Sequence, residues 1–192
     1  MGALVNAPEA IWAWRHPQPQ GVAGRCIGRH DVALDRRKAK RLAHRIRQAA
    51  RRHGLPHIVH TSSLRRCRWV GQQLRRWGWR HVIDERLLEA SFGLWEGCAW
   101  SAISRDEFEA WMADFVGYRP GGGESLGEVL ARAAAWMPLD APEGSVESQG
   151  LVVVAHGGWM LARRWMAEHA QAPAGAHEWP ASPAYGQCWL LR

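Results

Sequence analysis

The apolar positions of the 192-residue chain fall into short continuous runs, separated by longer segments in which they recur at helical spacing. The run at 151–155 is the clearest, because it is rich in β-branched residues and follows a glycine. A similar apolar run ends at Trp14, directly before Arg15 and His16. Such runs predict buried strands, and the predicted set lies at 10–14, 56–61, 80–83, 151–155 and 186–191.

The longer segments between the strands carry their apolar residues on one helical face. In the first of them Asp35 is a suitable N-cap, Leu42 and Ile46 belong to the apolar stripe, and Gly54 suits the C-terminal end. Helices are predicted at 36–53, 64–77, 105–116, 125–136 and 159–169. Loops are predicted at 18–34, 84–97, 141–150 and 172–184. This alternation predicts an α/β fold with a mostly parallel sheet, in one domain over 1–192.

Composition narrows the class of protein. Apolar residues make up 47% and charged residues 22% of the chain, which is ordinary for a globular protein. No apolar run approaches the ~20 residues that cross a bilayer, and residues 1–9 lack the order of a secretory signal. We therefore expect a cytoplasmic protein with no membrane partner. Four cysteines lack metal-ligand spacing, which predicts reduced thiols and no metal site: Cys26, Cys67, Cys98 and Cys188.

The formal charge of +7 comes almost wholly from arginine, since Lys38 and Lys40 are the only lysines. Arginine pairs well with phosphate and carboxylate, so an anionic partner stays open beside the simpler interpretation of a solvated basic face. No nucleic-acid-binding motif is present, so we expect no nucleic acid partner. A homodimer is left open. Most of the thirteen tryptophans should be core, although one or two would suit a pocket for a flat ligand.

Three predicted strands end in polar residues, which are Arg15-His16, Thr61-Ser62-Ser63 and His156-Gly157. Sites of parallel sheets lie beyond the carboxyl ends of the strands. If the first and fourth strands are neighbours, His16 and His156 meet close to the helix start that carries Arg65 and Arg66. Two imidazoles and guanidinium groups around one point form an oxyanion-binding cluster, to which helix N-termini add N–H donors.

Five short motifs follow one another along most of the chain. They are Arg15-His16 after a strand, Ser62-Ser63-Leu64-Arg65-Arg66, Glu89 followed by Phe92-Gly93 and Trp95-Glu96-Gly97, Gly122-Gly123-Glu124-Ser125, and Val154-Ala155-His156-Gly157-Gly158. In this order they resemble the motifs of the histidine phosphatase superfamily. The resemblance implies a phosphoglycerate-mutase-like fold, a three-layer α/β/α sandwich. One Arg-His pair alone would carry little weight, whereas five ordered motifs are specific.

The resemblance also implies roles for single residues. His16 would be the nucleophile that forms phosphohistidine, and Arg15, Arg66 and His156 would hold the phosphate oxygens. Glu89 would protonate the leaving alcohol and then activate water. The scheme implies no metal and no other cofactor. These roles suit phosphoryl transfer, because its transition state spreads negative charge over oxygens that cations and N–H donors stabilise.

The sequence departs from the family pattern at two places. Pro17 stands where a glycine is usual and removes one N–H, and Ser63 stands where a proline is usual. Residues 24–31 resemble a segment of alpha-ribazole phosphatases, which act on a nucleotide-like intermediate of cobalamin assembly. Arg25 and Arg29 are the candidate substrate contacts of this segment. Gly157, at the helix start after His156, is a further candidate substrate-binding residue. A structural turn with surface arginines is the alternative.

The leading hypothesis is a phosphomonoester hydrolase that uses a phosphohistidine intermediate on a small phosphorylated substrate. A phosphoglycerate-type mutase with the same site is a second interpretation, although the short chain and a missing family asparagine after the first motif favour hydrolysis. A third is a non-enzymatic basic binding protein, based on the arginine-rich stretch at 36–52. The clear apolar stripe of that stretch favours an ordinary packed helix instead.

Overall fold

The structure, a computed structural model, describes residues 10–138 and 150–192. Its strands are β1 (Ile11–Arg15), β2 (Ile58–Thr61), β3 (Arg80–Ile83), β4 (Leu151–Ala155) and β5 (Cys188–Leu191). Its α-helices are α1 (Arg36–His53), α2 (Arg65–Arg75), α3 (Arg105–Ala113), α4 (Leu126–Ala134) and α5 (Gly157–Glu168). The predicted N-terminal segment 1–9 lies outside the described residues, as does the predicted loop at 141–150 except for Gly150.

The five strands form one sheet in the order β3-β2-β4-β1-β5. Strand β1 runs parallel to β4 on one side and antiparallel to β5 on the other. In the β1–β4 register Arg15 lies opposite Ala155, so the residues that follow, His16 and His156, leave the sheet side by side. The prediction that the first and fourth strands are neighbours is confirmed.

Alternate residues of β4 face two separate cores. Val152 and Val154 pack with buried residues of α1 and α2, whereas Val153 and Ala155 pack with those of α4 and α5. Every one of these four side chains is fully buried, which is why the strand is apolar throughout instead of alternating. The three-layer α/β/α sandwich with a mostly parallel sheet is therefore confirmed.

Helix α1 has the predicted limits because its caps are local. The Asp35 carboxylate accepts a hydrogen bond from the Arg37 amide at 2.7 Å, and Gly54 ends the helix with a φ of 65°. Three other predicted helices are shorter in the structure, and β2 and β5 each begin two residues later than predicted. Helix α5 instead begins two residues earlier, at Gly157.

None of the described helices is long and apolar enough to span a membrane.

Candidate active site

The two histidines predicted to converge lie together at the carboxyl ends of β1 and β4. Their ring centroids are 5.0 Å apart, and both side chains are buried, with 4% of His16 and 0% of His156 exposed. The adjacent register of the two strands fixes this distance, because each imidazole follows the last residue of its strand. The geometric condition that the sequence analysis set for an oxyanion site is met.

The two imidazoles are held in opposite tautomers. His16 Nδ1 lies 2.9 Å from the carbonyl oxygen of Pro17, which only accepts, so Nδ1 carries the proton and Nε2 the lone pair. In His156 the arrangement is reversed, because Arg66 Nε donates to Nδ1 at 3.2 Å. The proton of His156 is therefore on Nε2, which donates to Ser62 Oγ at 2.7 Å. The lone pair of His16 alone is left for chemistry.

Both imidazoles are neutral at ordinary pH. Burial, and next the nearby guanidinium of Arg66, lower the pKa of His16 well below its usual 6.5, while the hydrogen bond to Pro17 acts against this. Burial and the charge of Arg66 lower the pKa of His156 in the same direction. A neutral imidazole keeps the lone pair that a nucleophile needs.

The buried guanidinium of Arg66 connects the second histidine to the loop after β1. Besides its bond to His156, it donates to the carbonyl oxygens of His30 at 2.9 Å and Gly28 at 2.5 Å. Only 1% of the side chain is exposed, so its charge acts in a low-dielectric setting. The neighbouring Arg65 points elsewhere and forms an exposed ion pair with Asp31 at 3.0 Å.

Arg15 is held on one side of the histidines. Its Nη1 donates to Pro183 O at 2.6 Å, and its guanidinium carbon lies 4.0 Å from the ring centroid of Tyr185. The buried Nε has no hydrogen-bond partner among the described residues. A buried donor of this kind beside two imidazoles suits an anion.

The carboxylate of Glu89 reaches the site from the loop after β3. Its Oε2 accepts a hydrogen bond from the Gly158 amide in the first turn of α5 at 3.2 Å, and Oε1 accepts from Ala90 at 3.1 Å. A Cβ atom on Gly158 would lie 2.4 Å from Glu89 Oε1. The second glycine after His156 therefore makes room for the carboxylate.

Two of the sequence motifs pack directly on each other to carry Glu89. Gly93 and Gly121 both have positive φ, 51° and 58°, and a Cβ on Gly93 would lie 2.1 Å from the Gly121 carbonyl oxygen. Glu124 accepts from the Ser91 amide at 3.1 Å and forms ion pairs with Arg29 and Arg132 at 2.8 and 2.9 Å. Ion pairs and close backbone contact thus fix a loop whose only regular structure is two short 3-10 turns, at Glu85–Leu87 and Gly93–Trp95.

These side chains enclose two connected spaces. The smaller, here called the inner cleft, has a volume of about 60 Å³ and is lined by Arg15, His16, Pro19, Val22, Ile27, Gly28, Arg66, Glu89 and Tyr185. The larger, here called the outer chamber, has a volume of about 380 Å³. Six residues line both spaces: Arg15, Val22, Ile27, Gly28, Glu89 and Tyr185. A surface groove of about 810 Å³ beside α5 is larger but contains none of the predicted site residues.

The structure brings most of the predicted site residues together. Arg15, His16, Arg66 and Glu89 line the inner cleft, and Arg25 lines the outer chamber. His156 contacts His16 and Arg66 from the buried side, and Gly157 begins the helix whose first turn holds Glu89. Arg29 lines neither space, because it pairs with Glu124 and donates to the Glu89 carbonyl oxygen at 3.0 Å. Its geometry suits a supporting residue instead of a substrate contact.

Three residues that lie near the histidines are not among the site residues predicted from the sequence. Ser62 orients His156, and its place in the second motif was the only available signal. Tyr185 lies 5.5 Å from His16 between centroids, and no pattern distinguished it. Cys67 Sγ lies 3.4 Å from His156 Nε2, but burial raises the pKa of this thiol to about 12. It therefore stays protonated and does not compete as a nucleophile.

All four cysteines, Cys26, Cys67, Cys98 and Cys188, are free thiols in the structure. Across the described residues, no group of three or more histidine, cysteine, aspartate or glutamate side chains is placed to hold a metal ion.

The chain is similar to known proteins both in sequence and in structure. The chain is similar to the probable phosphoglycerate mutase GpmB of Cronobacter sakazakii, with 32% identity over 155 residues, which are 77% of this chain and 69% of that protein. It is similar in structure to a mycobacterial glucosyl-3-phosphoglycerate phosphatase, with a TM-score of 0.65 and 28% identity over 82% of this chain and 78% of the other.

A phosphoglycerate mutase of Thermus thermophilus shares the fold, with a TM-score of 0.67 and 23% identity over 94% of this chain and 91% of the other. The family model of the histidine phosphatase superfamily (branch 1) matches residues 11–181, which include every predicted site residue. The chain therefore belongs to the histidine phosphatase superfamily, branch 1.

Proposed function

We propose that this protein hydrolyses phosphate monoesters through a phosphohistidine on His16 Nε2, without a metal ion. The observation that carries the proposal is the pair of opposite tautomers. His16 has its proton fixed on Nδ1 by Pro17, while the lone pair of His156 is occupied by Arg66. Of the two adjacent imidazoles, His16 is thus the one with a nitrogen available to attack phosphorus.

The cations around the inner cleft support this assignment. Arg15 and Arg66 both line a space of about 60 Å³, which suits a group of phosphate size. The first turn of α5 contributes the positive end of a helix dipole. Negative charge that develops on the phosphoryl oxygens is stabilised by such fixed groups at no reorganisation cost.

Glu89 lies where the scheme needs a proton donor. It lines both spaces, so it stands between the phosphoryl group in the cleft and the leaving group in the chamber. As the ester P–O bond breaks and the bond from His16 Nε2 to phosphorus forms, Glu89 gives its proton to the leaving oxygen. Water then attacks phosphohistidine and returns a proton to Glu89, which releases phosphate and restores His16.

The experiment replaces His16 with alanine and measures hydrolysis of 4-nitrophenyl phosphate in a chelating buffer. We expect at least a ~10³-fold loss of kcat, because the nucleophile is removed. His177→Ala is the matched control, since this histidine is exposed and lies outside both spaces. Undiminished turnover by His16→Ala would contradict the proposal, as would activity that disappears with the chelator.

A phosphoglycerate-type mutase is the second candidate, supported by the similarity to the probable mutase GpmB. A mutase returns the phosphoryl group to the same carbon skeleton, whereas a hydrolase gives it to water. Incubation with 3-phosphoglycerate followed by phosphorus NMR separates the two, because one yields 2-phosphoglycerate and the other free phosphate. We expect free phosphate.

For the substrate we propose a small organic monophosphate, with alpha-ribazole 5′-phosphate as one candidate. The support is the segment at 24–31, from which Arg25, Ile27 and Gly28 line the outer chamber. The segment is fixed to the loop that carries Glu89, because the Cys26 amide donates to Cys98 O and Gly97 donates to Cys26 O, at 2.9 and 2.7 Å. Phosphate release from a panel of monoesters, this nucleotide included, tests the candidate directly.

A further inference from the structure

The wall of the outer chamber is built largely of aromatic rings in one connected series. Phe92 contacts Trp100 and Trp111, each at 5.9 Å between ring centroids, and the two indoles are 6.5 Å apart and nearly parallel. Trp111 then stacks on Phe115 at 5.9 Å, and Phe115 meets Trp179 at 6.3 Å. These five rings all line the chamber, and they come from three separate parts of the chain.

The rings are not closed off by protein. Trp100 is 39% exposed, and Phe92, Trp111, Phe115 and Trp179 are only partly buried. By contrast, Trp136 and Trp159 in the core beside α5 are fully buried. A cavity lined by accessible aromatic surface leaves a large apolar area in contact with water, and a ligand that covers this area gains its burial.

The chamber is continuous with the proposed phosphate site. Arg15, Glu89 and Tyr185 line both spaces, and Glu89 is the proposed donor to the leaving oxygen. With the phosphoryl group on His16, the group attached to the ester oxygen extends past Glu89 into the chamber. A leaving group of three carbons would leave most of the 380 Å³ unfilled.

The charges of the chamber do not suit a strongly anionic leaving group. Glu124, which lines it, is already neutralised by Arg29 and Arg132. Beyond Arg15 at the cleft, Arg25 is the only cationic side chain on the described wall, and it donates to the Gly97 carbonyl oxygen at 2.8 Å. A carboxylate in the chamber would therefore be surrounded by many apolar rings and by one cation, Arg25, which already donates a hydrogen bond to the protein backbone.

We infer that the outer chamber selects phosphate monoesters whose leaving group carries a flat aromatic ring system, and that Trp111 is a main determinant of this selectivity. The inference rests on the proposed function of the inner cleft and adds the substrate class. Trp111 is central because it contacts five other rings of this region: Phe92, Trp95, Trp100, Phe108 and Phe115. Stacking on such a surface is favourable for any flat apolar ring.

The first test compares two alkyl esters whose leaving oxygens have similar basicity, 2-(1-naphthyl)ethyl phosphate and ethyl phosphate. For the wild-type protein we expect kcat/KM to favour the naphthyl ester by at least ~30-fold, chiefly through KM. Trp111→Leu should reduce this ratio about tenfold, because the naphthyl ester loses far more kcat/KM than ethyl phosphate does. Phe108→Leu is the matched control, because Phe108 is on the same helix and contacts Trp111 without lining the chamber.

One further pair of substrates tests where in the leaving group the ring can be carried. Comparing kcat/KM for alpha-ribazole 5′-phosphate and ribose 5-phosphate measures the effect of an aromatic ring that is carried on a sugar. Selectivity in both pairs supports the general class, whereas selectivity in the naphthyl pair alone limits it to a ring close to the ester oxygen. The inference would be overturned if naphthylethyl phosphate, ethyl phosphate and 3-phosphoglycerate were hydrolysed with equal kcat/KM and Trp111→Leu did not change these values. The hydrolase proposal would still stand in that case.

A binding measurement separates the chamber from the chemistry. Calorimetry with 2-(1-naphthyl)ethylphosphonate and ethylphosphonate needs no turnover, so it applies even to a protein that hydrolyses nothing. We expect the naphthyl compound to bind the wild-type protein at least ~10-fold more tightly, and Trp111→Leu to lose most of that difference. Equal affinities would overturn the inference, and binding without hydrolysis would contradict the proposed function alone.

Discussion

The inner cleft and the outer chamber are adjacent but are built in different ways. The cleft is formed by polar groups at strand and helix ends, and its key side chains, His16 and Arg66, are almost completely buried. The chamber is formed by aromatic side chains of α3 and of the loops around it, and these stay partly exposed. The sheet register fixes the first space, while contacts between loops fix the second.

This difference separates two tasks. Groups that stabilise charge must be positioned to within a fraction of an ångström, and here they are attached to the ends of the sheet strands and of the adjoining helices. Groups that need only to cover an apolar ring come from the exposed helix α3 and from loops, and loops tolerate changes in sequence and length. We therefore expect substitutions in the cleft to lower kcat for every substrate, and substitutions in the chamber to change the ratio between substrates.

Among substitutions that keep the nucleophile His16, the largest effect is expected for Arg66→Ala. The change removes a buried cation and leaves His156 Nδ1 and two carbonyl oxygens without their donor. We expect kcat to fall by about 10²–10³-fold for aromatic and aliphatic esters alike. Arg65→Ala is the matched control on the same helix turn, because Arg65 is exposed and bound to Asp31. A loss confined to one class of substrate would contradict the division between cleft and chamber.

Gly158→Ala tests the boundary between the two spaces. A methyl group would lie 2.4 Å from Glu89 Oε1, so the carboxylate must move away from the leaving oxygen. We expect kcat to fall about 10- to 100-fold for alkyl esters, and the thermal midpoint to change little because α5 accepts alanine. Gly127→Ala in α4 is the control, since the nearest atom to its added carbon is 3.5 Å away. Unaltered kinetics in Gly158→Ala would show that Glu89 is not needed in this position.

The buried histidines of the cleft should make folding stability depend on pH. Their folded pKa values lie well below 6.5, so below pH 6.5 the unfolded chain binds more protons than the folded one. Stability therefore falls as pH decreases below 6.5, by up to about 1.4 kcal/mol per pH unit for each histidine, until the folded pKa is reached. Half-buried His81, with a pKa lowered to about 4, acts in the same direction.

Chemical unfolding at pH 7.5, 6.0 and 5.0 measures this dependence. His16→Ala should show a shallower fall in the free energy of unfolding than the wild-type protein, because one of the two buried imidazoles of the cleft is absent. Equal slopes for the two proteins would mean that His16 is not held neutral by its surroundings.

The smallest effect is expected for Ser62→Ala. Ser62 acts through His156, since its hydroxyl accepts the proton of Nε2 at 2.7 Å. Loss of one such hydrogen bond should lower kcat about fivefold and leave KM unchanged, because His156 is misplaced but the chamber is intact. Ser63→Ala is the adjacent control, because the Ser63 hydroxyl donates to Glu85 at 2.9 Å and Ser63 lines neither space. A rise in KM without a change in kcat would assign Ser62 to binding instead.

The cleft could be largely predicted from the sequence, because its residues follow strong local signals. The apolar run of β4 ends at His156, and the polar pair Arg15-His16 follows an equally clear strand. The predicted start of α5 is wrong by two residues, and the reason is physical. Gly157 and Gly158 are poor helix formers, but Gly158 is needed in the first turn because Glu89 occupies the space of a side chain.

The chamber could not be predicted in the same way. Its rings belong to loops and to the exposed helix α3, where no periodic pattern indicates which tryptophans face inward. Their arrangement depends on the contact between Gly93 and Gly121, which lie 28 residues apart and carry no signal of their pairing. Arg29 illustrates the same limit, because only the fold reveals that Glu124 is its partner.

The hydrogen bond from His16 to Pro17 has an evolutionary consequence. The acceptor is a main-chain carbonyl, and all twenty amino acids supply one at that position. No exchange of side chain at residue 17 deletes the acceptor itself, so the orientation of the nucleophilic ring is insulated from mutation there. Proline can therefore follow the histidine without loss of this acceptor. A mutational screen that changes only side chains will not detect the main-chain carbonyl of residue 17, although that carbonyl fixes the tautomer of His16.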